Sequence, residues 1–196
     1  MQDALIIPTY GFVGDDDSLP NGRGTKARIA VAQKLLREKK VSSMCMLHFS
    51  QNMLPQGREL ELLGPIPLGK NVADYVRNLP EFENAYVTDA AEFFSDARHG
   101  TKGTFDDTIA SLNQAYFEAE EWEDQRVRVH FVSDWSQLGR LWMVWHAWKH
   151  SVKDLGWQAS FHLVPNFRSL HEIVFHEPAA YLKCAFNCLR WRFFTV

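Results

Sequence analysis

The sequence predicts an α/β fold: a three-layer, Rossmann-like arrangement with a mostly parallel five-stranded sheet and helices on both faces. Three observations predict it. Short apolar runs of strand length alternate with longer segments of helical periodicity along most of the 196 residues. Such short apolar strands between amphipathic helices are how a sheet buried on both faces reads. The clearest run, Val127 to Ser133, continues straight into a helix at Asp134 and Trp135. Open α/β folds bind ligands at strand-to-helix joints of this kind.

Ala4 to Pro8 is the first strand, followed by Thr9-Tyr-Gly-Phe-Val-Gly14, whose glycines permit a tight loop, and then by Asp15, Asp16 and Asp17. Thr25 to Lys40 reads as a helix with Ile29, Ala32, Leu35 and Leu36 on its apolar face. A second strand lies within Val41 to Phe49, and the Pro- and Gly-containing stretch Ser50 to Leu68 is an irregular loop beyond it. Asn71 to Leu79 is a short helix, and Ala85 to Asp89 a short strand. Phe105, Ile109, Leu112, Tyr116 and Ala119 recur at helical spacing behind Thr104-Phe-Asp-Asp107, which fits a capping box. Asp134-Trp-Ser-Gln137 repeats that box before a helix with Leu138, Leu141, Trp142, Trp145 and Trp148 as its apolar face. Trp157 to Val164 is the last strand, and Leu170 to Phe175 opens the C-terminal helical material. Without repeats or a linker, 1–196 is one α/β domain, with 179–196 a helical or partner-contacting extension.

Composition narrows the function classes. A chain of this size with 46% hydrophobic and 13% aromatic residues buries a full core without metals or disulfides. The formal charge of −3 supplies no basic field for nucleic acid, so a nucleic-acid partner is not expected. From Glu81 to Asp124 twelve acidic residues face only Arg98 and Lys102, a solvated surface. Cys45, Cys184 and Cys188 make no extracellular disulfide framework. With no secretory start and no apolar run of about 18 residues, a soluble cytoplasmic protein is expected.

The candidate chemistry gathers at predicted strand ends. Tyr10 and Gly11 let a ligand approach backbone-first, or form a plain surface turn. Arg28 offers charge to an anionic substrate. Ser50 and Gln51 follow the second strand with hydroxyl and amide groups that either contact a ligand or cap the loop. Thr104 caps a helix or binds a ligand, and Asp107 lies near the positive helix end, where a carboxylate weakens binding of a bare phosphate unless a cation intervenes. Ser133, Asp134, Gln137 and Arg140 form the densest polar group. Asp134 is a helix cap or a catalytic base; Arg140 reaches a carboxylate or phosphate, or pairs with an acid on the surface.

Several motifs are excluded. No dinucleotide-binding G-x-G-x-x-G, phosphate loop or G-x-S-x-G elbow is present. His171 and His176 are five apart, turned about 140° on a helix, and fail the zinc-protease spacing. His146/His150 and Cys184/Cys188 lack further ligands, so no metal site is assigned. The stretch Leu182 to Val196, aromatic and basic without an acid, docks on the protein's own surface or touches a membrane or partner.

Over Ala4 to Pro165 the chain resembles the YdcF/SanA-like family of poorly characterised α/β proteins. Ala4 to Gly11 is similar to its first strand and glycine loop, and Arg28-Ile29, Ala32 and Leu35 to its first helix. Ser50 fits the serine of its Ser-Gly-Gly loop, with Gln51 and Asn52 in place of the glycines. Thr104-Phe-Asp-Asp107 resembles its Asn-Thr-x-Glu-Asn segment. Val132 to Arg140 resembles its Val-Thr-Ser-x-Tyr-His-x-x-Arg joint, keeping the arginine but carrying Ser136-Gln137 for Tyr-His. The resemblance implies a doubly covered parallel sheet with a polar pocket at the strand ends and a nucleotide-like ligand.

These features predict a small-molecule-binding protein, its first reading an enzyme on a phosphorylated or nucleotide-like substrate with Asp107 or Asp134 as base. A non-catalytic binding or scaffolding protein is the alternative from another class. A third is a Mg²⁺- or Mn²⁺-assisted hydrolase built on Asp15 to Asp17 and Asp107.

Overall fold

Gln2–Ile6 (β1) lies in the middle of a parallel sheet, and its apolar side chains serve both faces: Ala4 and Ile6 enter one core cluster, Leu5 and the following Ile7 the other. The computed structural model describes residues 2–8, 23–42, 46–49, 74–89, 105, 109, 126–151, 156–165 and 172–194. On one side β1 pairs with Met46–Phe49 (β2), Ala4 opposite Met46, and β2 pairs with Tyr86–Asp89 (β3). On the other side β1 pairs with Val127–Ser133 (β4), Leu5 opposite His130, and β4 with Gln158–Leu163 (β5). The order is β3-β2-β1-β4-β5, every neighbour parallel. The chain therefore builds outward from β1 on one side, then returns to build outward on the other. Its order reverses between β1 and β4.

Helix Arg23–Arg37 (α1) covers one face, with Ile29, Ala32 and Leu35 packed on Leu5, Ile7 and Val132. It ends before the expected Lys40 because Lys39 takes a left-handed φ of 54°. The amide of Lys40 then donates to the Leu35 carbonyl at 3.0 Å and that of Lys39 to Leu36 at 3.0 Å, a Schellman closure. Pro80–Phe82 adds a 3₁₀ turn whose Phe82 completes this face.

Helix Trp135–Ser151 (α2) covers the opposite face with Leu138, Leu141, Val144, Trp145 and Trp148. Helical Phe105 and Ile109 join it, Phe105 stacking on Phe131 at 6.3 Å between ring centroids. Trp148 meets Trp157 at 5.6 Å. Trp142, expected on the apolar face, is instead 52% exposed and packs on His146 at 4.4 Å. One residue past Leu141 is about 100° further round the helix, enough to leave the buried stripe.

After a π-helical segment, Glu172–His176, the chain forms Glu177–Phe194 (α3). Its Cys184 and Cys188 are buried in the α2 cluster. This face of α3 therefore packs against the cluster that α2 covers. Among the described residues no helix is long and apolar enough to cross a membrane.

Candidate functional site

Arg28 shares a helical stripe with Ala32 and Leu35, so the spacing that makes α1 amphipathic also drives this guanidinium into the interior. There it donates to the Pro8 carbonyl at the end of β1, to Asp134 Oδ2 at 2.9 Å and to Gln137 Oε1 at 3.3 Å. Both charged side chains of the Arg28–Asp134 pair are only 2% exposed. A buried pair of this kind requires further hydrogen bonds to offset desolvation, and it has them.

Asp134 is the N-cap of α2. Its Oδ1 accepts the amides of Ser136 and Gln137, each at 3.1 Å, and the Ser136 hydroxyl at 2.5 Å. Three donors on one oxygen and a guanidinium on the other leave this carboxylate engaged as cap and ion-pair partner. The reciprocal half of the expected capping box is not formed. Gln137 Oε1 takes the Ser133 hydroxyl at 2.8 Å and Arg28 in place of the cap amide, because those buried donors need an acceptor. Since a guanidinium only donates, the amide oxygen must face it, and the Gln137 NH₂ is left without a partner among the described residues. The Ser133 carbonyl accepts Val164 N–H at 2.9 Å, tying the end of β4 to the end of β5.

Arg140 is turned elsewhere. It is buried between α2 and α3, paired with Glu177, with its guanidinium 5.6 Å from the Tyr181 ring centroid. Gly139 makes room for this contact: a Cβ there would stand 2.0 Å from the Tyr181 hydroxyl. The Cys184 thiol points at the Arg140 carbonyl at 3.7 Å, and hydrogen bonding with Cys188, together with burial, pushes it well above the usual thiol range. Such a thiol is inert packing.

Arg28, Asp134 and Gln137 are thus brought together, and Arg140 is not among them. Tyr10, Gly11, Ser50, Gln51, Thr104 and Asp107 lie outside the described residues, as do Asp15 to Asp17. In the sequence Tyr10 and Gly11 follow Pro8 closely, and Ser50 directly follows β2. Among the described residues no three His, Cys, Asp or Glu side chains are grouped to hold a metal ion. Asp134 in particular does not fit a Mg²⁺ ligand, because both its oxygens already accept.

A second polar set escaped the sequence. On the α1 face of the sheet, Asp3 Oδ2 accepts Ser42 N–H at 2.9 Å and its Oδ1 meets His130 Nε2 at 3.1 Å; His130 Nδ1 meets His162 Nε2 at 2.9 Å. A carboxylate only accepts, so His130 carries its hydrogen on Nε2 and His162 donates from Nε2 to His130. Burial, helped by the charges of His130 and Lys40, pushes His162 down to about 4. Burial also lowers His130 against the pull of Asp3. Imidazoles this reluctant to protonate are weak bases near neutrality, and the chain serves as an internal polar tie across three strands. The signal was available: Asp3, His130 and His162 are polar residues at inward positions of apolar strands.

No family model, curated protein or solved structure matches this chain.

Proposed function

We propose that this is a Rossmann-like small-molecule-binding protein whose ligand occupies the crevice beyond the C-terminal ends of β1 and β4. The observation that carries the proposal is the reversal of strand order between these two strands, with the polar group of Ser133, Asp134, Gln137 and Arg28 at their ends. Adjacent connections leave in opposite directions at such a switch point and open a crevice there. Gln137 contributes unspent amide donors, while Arg28 and Asp134 act as positioning residues that hold the end of β1 to the start of α2.

A phosphorylated or nucleotide-like ligand is favoured because α1 begins beyond the same strand end with no acid in its first turn. Tyr10, Gly11, Ser50 and Gln51, which follow β1 and β2 in the sequence, would supply further contacts. Kinship with the YdcF/SanA-like family is part of this proposal, but Arg140, the residue kept at that family's joint, is committed to Glu177. Binding without catalysis is the second reading, favoured by the full engagement of the Asp134 carboxylate. The buried thiols of Cys184 and Cys188, not joined in a disulfide, suit the cytoplasm.

The test is a thermal-shift screen over nucleotides and sugar phosphates, with and without Mg²⁺, on the wild type and Gln137→Ala. A ligand at a hundredfold its Kd stabilises by about 2.7 kcal/mol, and Gln137→Ala is expected to diminish the shift. No shift across the panel would remove the ligand proposal, and an equal shift in the variant would remove Gln137 from the site.

A further inference from the structure

We infer that α3 docks the protein on an anionic lipid surface. One side of this helix is sealed: Glu177, Cys184 and Cys188 are buried against the rest of the molecule. The side away from it carries Leu182, Phe186 and Leu189, 73%, 67% and 54% exposed. At about 100° per residue these three fall within an arc of about 60°, forming a continuous ridge, and Val174 and Phe175 add exposed apolar surface just before the helix. A helix apolar on two opposite sides needs cover on both.

Charge identifies the cover. Lys183 and Arg190, both exposed, lie on one shoulder of the ridge at about 80–100° from Leu182. Arg192 is a further base, and no acidic residue follows Glu177, which is held by Arg140. Two copies packed ridge to ridge would bring these bases together with no acid on either helix beyond Glu177 to neutralise them. An anionic bilayer meets both needs, since acyl chains take up a convex ridge without a preformed groove and headgroups pair with the flanking bases. α3 then lies in the plane of the interface, in keeping with the finding that no described helix is fit to span a membrane.

The full chain should sediment with vesicles of phosphatidylcholine and phosphatidylserine, and not with phosphatidylcholine alone. Lys183→Gln/Arg190→Gln should weaken binding roughly thirtyfold, the effect of losing two surface charges. Phe186→Asp/Leu189→Asp should abolish it, while both variants melt like the wild type because the altered side chains are exposed. The inference is overturned by absence of sedimentation, by equal binding to both vesicle types, or by wild-type binding of the aspartate variant. A dimer in sedimentation velocity that Phe186→Asp dissociates would also overturn it, assigning the ridge to a second copy.

Discussion

Arg28–Asp134 and Arg140–Glu177 are the same chemistry in two places: a buried guanidinium against a buried carboxylate. Around the first, hydrogen bonds join the end of β1, α1, the end of β4 and the first turn of α2. Around the second there is a helix pair, a tyrosine ring and a glycine that lets the ring approach. The first holds together the strand ends where the sheet reverses its order; the second staples α2 to α3. A buried arginine is therefore no ligand cue in itself. The elements it connects decide what it is for.

Removing one carboxylate at a time gives the sharpest contrast. Asp134→Ala should destabilise the fold by about 4–5 kcal/mol, since it strands a buried guanidinium and also uncaps α2. Glu177→Ala, which takes the carboxylate from Arg140 and leaves the α2 cap in place, should cost about 3 kcal/mol. Urea unfolding of the two variants measures the difference, and equal losses would show that the cap contributes nothing.

A pH series separates both ionised pairs from the neutral histidine chain. His162 and His130 are held below their ordinary pKa in the folded state, so the unfolded chain takes up protons first as pH falls. Stability is therefore retained above about pH 6.5 and falls as pH drops below it, the His162 share being lost by about pH 4. His162→Gln should flatten the slope of unfolding free energy in that window. A slope identical to wild type would remove the histidine chain as its cause.

The smallest effect tests the helix staple alone. Gly139→Ala drives a methyl into Tyr181 and should cost about 1–2 kcal/mol, with part recovered by adding Tyr181→Phe. Neither change should alter a ligand-induced thermal shift at the strand ends. If it did, the two arginine regions would not be separate.

Much of the layout was legible because periodicity is local. Leu5 to Ile7, Ile29-Ala32-Leu35 and the passage from Val127 into Leu138 each declare their element from a few neighbouring residues, and those elements lie in the expected places. Even the burial of Arg28 was written in its spacing from Ala32 and Leu35. Asp134 as a cap was legible too, since Ser136 and Gln137 follow it directly.

The sequence by itself determined an α/β protein with a parallel sheet, the polar joint at Ser133 to Gln137 and the basic, aromatic character of the C-terminal helix, because each depends on residues within a turn or two of one another. Only the tertiary structure decided that Arg28 meets Asp134, that Arg140 belongs to Glu177, that Asp3, His130 and His162 form one hydrogen-bonded chain, and that the Leu182–Phe186–Leu189 ridge faces outward. Strand order and helix docking set those pairings. A pattern with a period of two or of 3.6 residues tells a side chain which way to face, and not which distant segment will be there to meet it.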